Sequence, residues 1–366
     1  MRKLLSNEYA LFGRTVEKTD GFTQKLRKIF TNPVSHFILF GILTWLIADL
    51  AINKVIPDVI PYSLQSSLAT TFSFAIAAVG FCLLMGYSGL ASLGTGGFIG
   101  IGTYSVYFVM YESKLGLFDA ILVALLIAAV IGVIVGFISL RIEGIYLVIL
   151  TLALSEILRN LYMVVEDKIK VSNFELFGTV IKRQHSLYVV GVFLVIVMII
   201  THNLINSPTG RAMLAMKNST AAAQAMGISL IKYRLMAFVI CTMYAALSGV
   251  MLMITIRSAQ ASDGTGFYAL ITSLNILAAV IIGGYKSIWG SVFGAFVMYG
   301  MQTAVLNNIP FFAENPVIIT FISGILVIIV VMFYPGGMAQ LLLEAKVKIK
   351  SFRKKVRESK YGKDLG

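Results

Sequence analysis

Long apolar runs separated by short polar breaks organise this 366-residue chain. About 20 apolar residues are enough to cross a bilayer as a helix, so the pattern predicts about ten spans. They fall near 36–56, 66–86, 90–110, 118–140, 145–165, 187–205, 234–256, 268–284, 288–306 and 316–334. The pattern divides the chain into a basic segment 1–34, a membrane domain 35–335 and a basic tail 336–366. An even number of spans places both termini on one side. With that side cytoplasmic, about 22 of the 30 Lys and Arg face inward, as the positive-inside rule requires.

Two breaks are longer than a connector needs. The stretch 206–234 carries four basic residues and no acid. Within it Ser219 has the chemistry of a helix N-cap, TAAAQAM is a strong helix former, and Gly227 stands where a left-handed glycine would end that helix, followed by Ile228. So short a helix is marginal alone and needs something to hold it. The stretch 166–185, predicted outside, carries four basic and three acidic residues, and reads equally as a docking surface or as a solvated connector. Arg257 and Asp263 fall in another outer loop and are read as solvated.

Composition agrees with the pattern: 58% of residues are hydrophobic and 13% charged, outside the range of a soluble domain. The net charge of +13 is concentrated in the two terminal segments, which suits anionic headgroups of a lipid bilayer better than nucleic acid. Cys82 and Cys241 lie in apolar runs and read as small buried hydrophobes, and the three histidines lack metal-ligand spacing. No nucleophile elbow or catalytic carboxylate pair stands out, and no phosphate-binding P-loop occurs, so the chain is neither an enzyme of a soluble type nor an ATPase.

Four segments carry a resemblance. Ala221-Ala222-Ala223-x-x-x-Gly227 resembles the cytoplasmic coupling motif of ABC importer permeases, with Ala221 where the general motif has Glu. Its flanks, with Gly210, Arg211, Met226 and Ile228, resemble the version found in permeases of the branched-chain amino acid importer family. Arg141, Gly144, Tyr146, Thr151, Leu152, Glu156 and Ile157 match a second segment of that family. Gly283, Gly284, Ser287, Trp289, Gly290, Gly294 and Ala295 match a third. Ser88, Gly89, Ser92, Leu93, Gly94, Gly97 and Phe98 match the fourth, and all four occur in the family's order between about residues 60 and 340.

The resemblance implies an all-α membrane fold of about ten helices, arranged like the vitamin B12 permease. It implies a transport subunit that binds no cofactor itself. The implied partners are two ATP-binding subunits carrying ATP and Mg²⁺, a second homologous permease, and an external substrate-binding protein. In that reading Gly210, Arg211, Ala221, Ala222, Ala223, Met226, Gly227 and Ile228 couple the chain to the ATPases. An ion-coupled secondary transporter and a passive small-solute channel remain as alternatives.

The residues themselves suggest a pathway. Residues 86–104 hold seven glycines, and glycine costs a helix interior about 1 kcal/mol relative to alanine. Two explanations apply: close packing through ridges such as Gly96-x-x-x-Gly100, Gly132-x-x-x-Gly136 and Gly290-x-x-x-Gly294, or a helix interrupted beside a substrate path, its free N–H groups facing an anionic group. Ser88, Gly89, Ser92, Gly94, Gly96, Gly97, Thr151 and Glu156 are the candidate pathway residues. Glu156 falls near mid-span, where a carboxylate is costly unless paired or hydrated. Arg159 shares its face, so Glu156 reads as either a pathway group or half of a structural ion pair.

Overall fold

The computed structural model describes residues 33–52, 62–113, 115–139, 145–171, 174–176, 179–262 and 267–305, with isolated positions up to Met338. The basic terminal segments and most of the predicted span 316–334 lie outside the described residues.

The helices follow the apolar pattern closely. They are α1 (Pro33–Ile52), α2 (Tyr62–Leu83), α3 (Thr95–Val106), α4 (Leu117–Ser139), α5 (Ile145–Val165), α6 (Ser186–Asn206), α7 (Pro208–Asn218), α8 (Thr220–Ala225), α9 (Leu230–Ile256), α10 (Leu270–Gly283) and α11 (Ile288–Ala295). π-helical turns extend α2 over Leu84–Ser88, α3 over Tyr107–Glu112 and α11 over Phe296–Val305. By length and composition, five helical stretches among the described residues can cross a membrane: Leu64–Ser88, Leu117–Ile138, Tyr146–Val165, Arg183–Asn206 and Leu230–Ile256. Val34–Leu46, Leu270–Gly283 and Ile288–Met301 are shorter apolar helices.

α9 is the axis of the bundle, and α2, α3 and α4 pack around it. At 27 residues it is roughly 40 Å long. Glycine sets how near its neighbours come. A Cβ on Gly102 of α3 would stand 1.9 Å from the Ala246 carbonyl oxygen of α9, and one on Gly249 of α9 would stand 2.0 Å from that of Ile99. On α4, Gly132 faces the Thr242 hydroxyl and Gly136 faces Leu235 and Phe238, so this predicted ridge packs against α9. Gly290 and Gly294 meet the carbonyls of Gly283 and Ala279, so the second ridge joins α11 to α10. The lipid-compatible faces are equally plain: Leu122, Leu126, Val130, Ile134 and Phe137 of α4 are exposed, as are Ile38, Ile42 and Trp45 of α1.

The expectation of an all-α chain needs one amendment. Among the described residues four very short strands lie in the loops: β1 (Lys168–Lys170) pairs antiparallel with β4 (Ser258–Gln260), and β2 (Glu175–Leu176) with β3 (Thr179–Val180). β4 follows the C-terminal end of α9, whereas α8 precedes its N-terminal end, so the strands and the α7–α8 unit belong to opposite ends of the bundle. Asp167 ties β1 to β4 further, accepting from the Ser262 hydroxyl at 2.9 Å and the Ser262 N–H at 2.7 Å. Those bonds, the hydroxyl's foremost, hold its carboxyl below the usual range.

Arg257 corrects its reading as a solvated loop residue. It closes α9 in a left-handed conformation with φ 65°, donates from Nη2 to the Ile181 oxygen at 2.7 Å, and stacks over Phe174 at 5.5 Å. Position decides this: the residue that ends α9 points into the strand-bearing loop, whose carbonyls need donors.

Candidate functional site: the elbow before α3 and the α7–α8 unit

The glycine-rich stretch does interrupt a helix. After the π turn at Leu84–Ser88 the chain passes through Gly89, with φ 75°, and becomes helical again only at Thr95. α3, which begins there, is enclosed on all sides, and every one of its residues is buried. Its glycines face different neighbours. Gly96 abuts the Tyr268 and Ala269 carbonyls, Gly97 the Ser155 Cα, Gly100 the Tyr162 ring and Gly102 the α9 backbone. Gly96 and Gly100 therefore do not form one ridge; the spacing instead lets several elements crowd a single helix.

Helix starts leave N–H groups without intrahelical partners. Here neighbouring hydroxyls take them. The Leu93 N–H donates to Thr151 Oγ1 at 3.0 Å, Gly94 to Ser92 Oγ at 3.2 Å, Gly96 to Ser273 Oγ at 2.8 Å and Gly97 to Ser155 Oγ at 2.9 Å. The expected anion-facing N–H groups are thus engaged, three of the four by α5 and α10. Sequence alone does not single out Ser155 and Ser273, because a serine on an apolar helix gives no local sign of a partner 58 or 177 residues away.

These contacts make a testable prediction. Replacing Ser155 or Ser273 by Ala leaves a buried N–H unbonded where no water can reach it, costing about 1–3 kcal/mol each. Thermal denaturation in detergent should show both single variants lowered and the double variant lowered further.

The other predicted pathway residues are placed as follows. Ser88 is buried and donates to the Leu84 oxygen at 2.6 Å; Ser92, Gly94 and Thr151 are buried, while Gly89 is exposed. Glu156 pairs with Arg159 on its own helix, Oε2 to Nε at 2.9 Å, with side chains 33% and 22% exposed respectively. The pair does not knit two spans together. It sits on a flank of α5 beside exposed Asn160, which donates to the Glu156 carbonyl oxygen, while Thr151, Ser155, Leu158 and Tyr162 are buried residues of the same helix.

Against the start of the elbow stands the α7–α8 unit. Ser207 caps α7, accepting from the Gly210 N–H at 3.4 Å, and Pro208 occupies the first turn, where its missing donor is harmless. Gly210 allows α7 to fold back on α6, since a Cβ there would stand 2.2 Å from the Ile205 oxygen. Arg211 is exposed and donates to the Asn206 oxygen at 3.3 Å. Ser219 ends α7 and caps α8, accepting from the Ala222 N–H at 3.3 Å. Gly227, φ 76°, donates to the Gln224 oxygen and Ile228 N–H donates to that of Ala223, which completes a Schellman ending for α8. Ala223 is buried, Ala221 and Ala222 are exposed, and Met226 is 82% exposed at the tip.

Lys217, near the end of α7, reaches the elbow itself. Its Nζ donates to the Met85 oxygen at 2.9 Å and the Gly86 oxygen at 2.8 Å, and lies 4.4 Å from the centre of the Tyr285 ring. Desolvation at this joint, and then nearby Lys286, push its pKa down. Among the described residues no group of three or more His, Cys, Asp or Glu could hold a metal ion.

Residues 63–331 match the family described as "Branched-chain amino acid transport system / permease component". The chain is 26% identical over 320 residues to the high-affinity branched-chain amino acid transport system permease protein LivM of Salmonella typhimurium, covering 76% of this chain and 74% of that one. It is 25% identical over 285 residues to LivM of Escherichia coli, covering 69% and 66%. No solved structure matches the chain significantly. With the match extending from α2 to beyond α11, the chain belongs to the branched-chain amino acid permease family of ABC transporters.

Proposed function

We propose that this chain is one permease subunit of an ATP-driven importer for branched-chain or related small amino acids. The observation that carries the reading is the α7–α8 unit: a doubly capped, exposed helical tip, rigidly ended at Gly227, with small side chains that let a partner approach closely. Of the two ATP-binding subunits, which hold ATP and Mg²⁺, one engages this tip. A second homologous permease completes the pathway, and an external binding protein delivers the substrate. Both termini are cytoplasmic, the strand-bearing loops face outward, and the membrane domain has about ten helices in the vitamin B12-permease manner.

A zwitterionic amino acid suits the flank of α5. Its carboxylate can exchange onto the Arg159 guanidinium and its ammonium onto Glu156, each replacing the other member of the pair at mid-span. ATP-driven closure of the ATPases moves α8 and shifts the bundle between inward- and outward-facing states as a rigid-body change.

Reconstitution tests this. Proteoliposomes holding the chain with both ATP-binding subunits and a second permease should accumulate leucine only when ATP and loaded binding protein are present. Uptake by the chain alone driven by an ion gradient would favour a secondary transporter, and flux without accumulation would favour a channel; either would overturn the proposal.

A further inference from the structure

Among the described residues, Lys217 is the side chain whose hydrogen bonds fasten the α7–α8 unit to the start of the elbow, and it lies four positions before Ala221. Its ammonium grips two consecutive carbonyls, those of Met85 and Gly86, inside the π turn that ends α2. A π turn leaves carbonyls poorly used by the helix itself, so an external donor has something to hold. The aliphatic stem lies along Gly89, where a Cβ would stand 3.2 Å from Lys217 Cγ. The ring of Tyr285 lies beneath the charge at 4.4 Å.

Both ends of this fastening are stiff. On one side Ser219 is shared between α7 and α8, so a displacement of α8 reaches Lys217 without an intervening flexible linker. On the other side the π turn is clasped against the turn between α10 and α11. The Cys82 thiol donates to the Tyr285 oxygen at 3.2 Å, the Tyr87 hydroxyl donates to that of Lys286 at 3.2 Å, and Gly86 packs so tightly that a Cβ would fall 1.9 Å from the Tyr285 oxygen. From the turn the chain runs through 89–94 directly into the first turn of α3, held by Thr151, Ser155 and Ser273.

The geometry points to Lys217 as the latch that transmits movement of α8 to the elbow and so to the start of α3. It is a positioning residue, acting through the carbonyls of Met85 and Gly86, and this role rests on the importer reading above. A charge held by two acceptors and a ring carries both pushing and pulling, which an apolar contact of the same size does not.

Two measurements on Lys217→Met test it, and they fail separately. In the reconstituted assembly, K217M should still hydrolyse ATP while uptake per ATP falls roughly tenfold or more. K217R, which keeps a charged donor, should stay within about threefold of the wild type. In the full-length chain alone, spin labels on Gln224→Cys and Ala91→Cys report the α8-to-elbow distance, the native thiols Cys82 and Cys241 being buried. That distribution should be narrow in the wild type and broad in K217M. Unchanged uptake per ATP, or an unchanged distribution, overturns the latch. If K217M does not fold, Tyr285→Leu, which removes only the ring, should broaden the distribution, and a wild-type distribution there counts against the proposal. Wild-type uptake that needs no ATP-binding subunit would sink the importer reading instead, leaving the distance measurement to decide the latch.

Discussion

Gly102→Ala is expected to destabilise the folded protein severely. The added methyl would begin 1.9 Å from the Ala246 oxygen and 2.8 Å from its carbonyl carbon. Both belong to backbone in the middle of α9, so no rotamer change relieves the clash. One helix must move, and the close approach of Gly249 to the Ile99 carbonyl, which likewise leaves no room for a Cβ, is disturbed with it. Overpacking a core costs about 1–3 kcal/mol where side chains can yield, and this site lies at or beyond the upper end. A loss of about 3 kcal/mol lowers the ratio of folded to unfolded protein more than roughly hundredfold. Thermal denaturation in detergent, with size-exclusion recovery, should show a large fall for Gly102→Ala. Gly191→Ala is the control: its nearest neighbour is Thr44 Oγ1 at 3.4 Å, so it should be neutral or slightly stabilising through better helix propensity.

Gly227→Val is expected to abolish transport while leaving the bundle intact. Nothing lies within 4 Å of a Cβ at this position, so space is not the issue. The φ of 76° is: a β-branched residue is a strong outlier in the left-handed region, at a penalty of roughly 1–2 kcal/mol or more. The chain then gives up the two bonds from Gly227 and Ile228 that close α8. With six residues, α8 has no stability of its own to survive that loss. ATP-driven uptake by the reconstituted assembly should fall more than roughly tenfold, whereas the melting temperature of the solubilised chain should not change. A matching fall in both would mean that α8 is part of the core rather than a tip resting on it.

These two glycines also mark what could be read from sequence. Gly227 was legible because everything that fixes its role lies within eight residues: a capping serine, a helix-forming run and a hydrophobic residue after the stop. The bounds of α5 were legible for a related reason, because Arg141 and Gly144 precede the apolar run and Glu166 and Asp167 come after it. The start of α3 was less so. Hydropathy continues through 90–94, and only the contacts of Leu93, Gly96 and Gly97 with α5 and α10 explain why regular helix waits until Thr95.

Long-range partners account for the remainder. Seven glycines in nineteen residues announced something unusual, but not that each of those in α3 faces a different neighbour. Lys217 looked like one basic residue of a positive loop, and its partners lie 131 and 132 positions away. β1 and β4 are three residues each and meet across some ninety positions, too short to leave an alternating pattern. Arg257 was misread because its role depends on Phe174 and Ile181, in a loop that composition alone left open.

Docking of an ATP-binding subunit on the tip of α8 can be read out at Met226. Met226→Cys places a thiol at a position 82% exposed, while Met213→Cys places one at a buried position of α7. Membranes containing the assembled transporter would be treated with a short bifunctional thiol reagent and probed for a cross-linked product containing an ATP-binding subunit. A strong product that changes with nucleotide is expected from Met226→Cys, and none from Met213→Cys. No product from Met226→Cys in an assembly that still transports would contradict it.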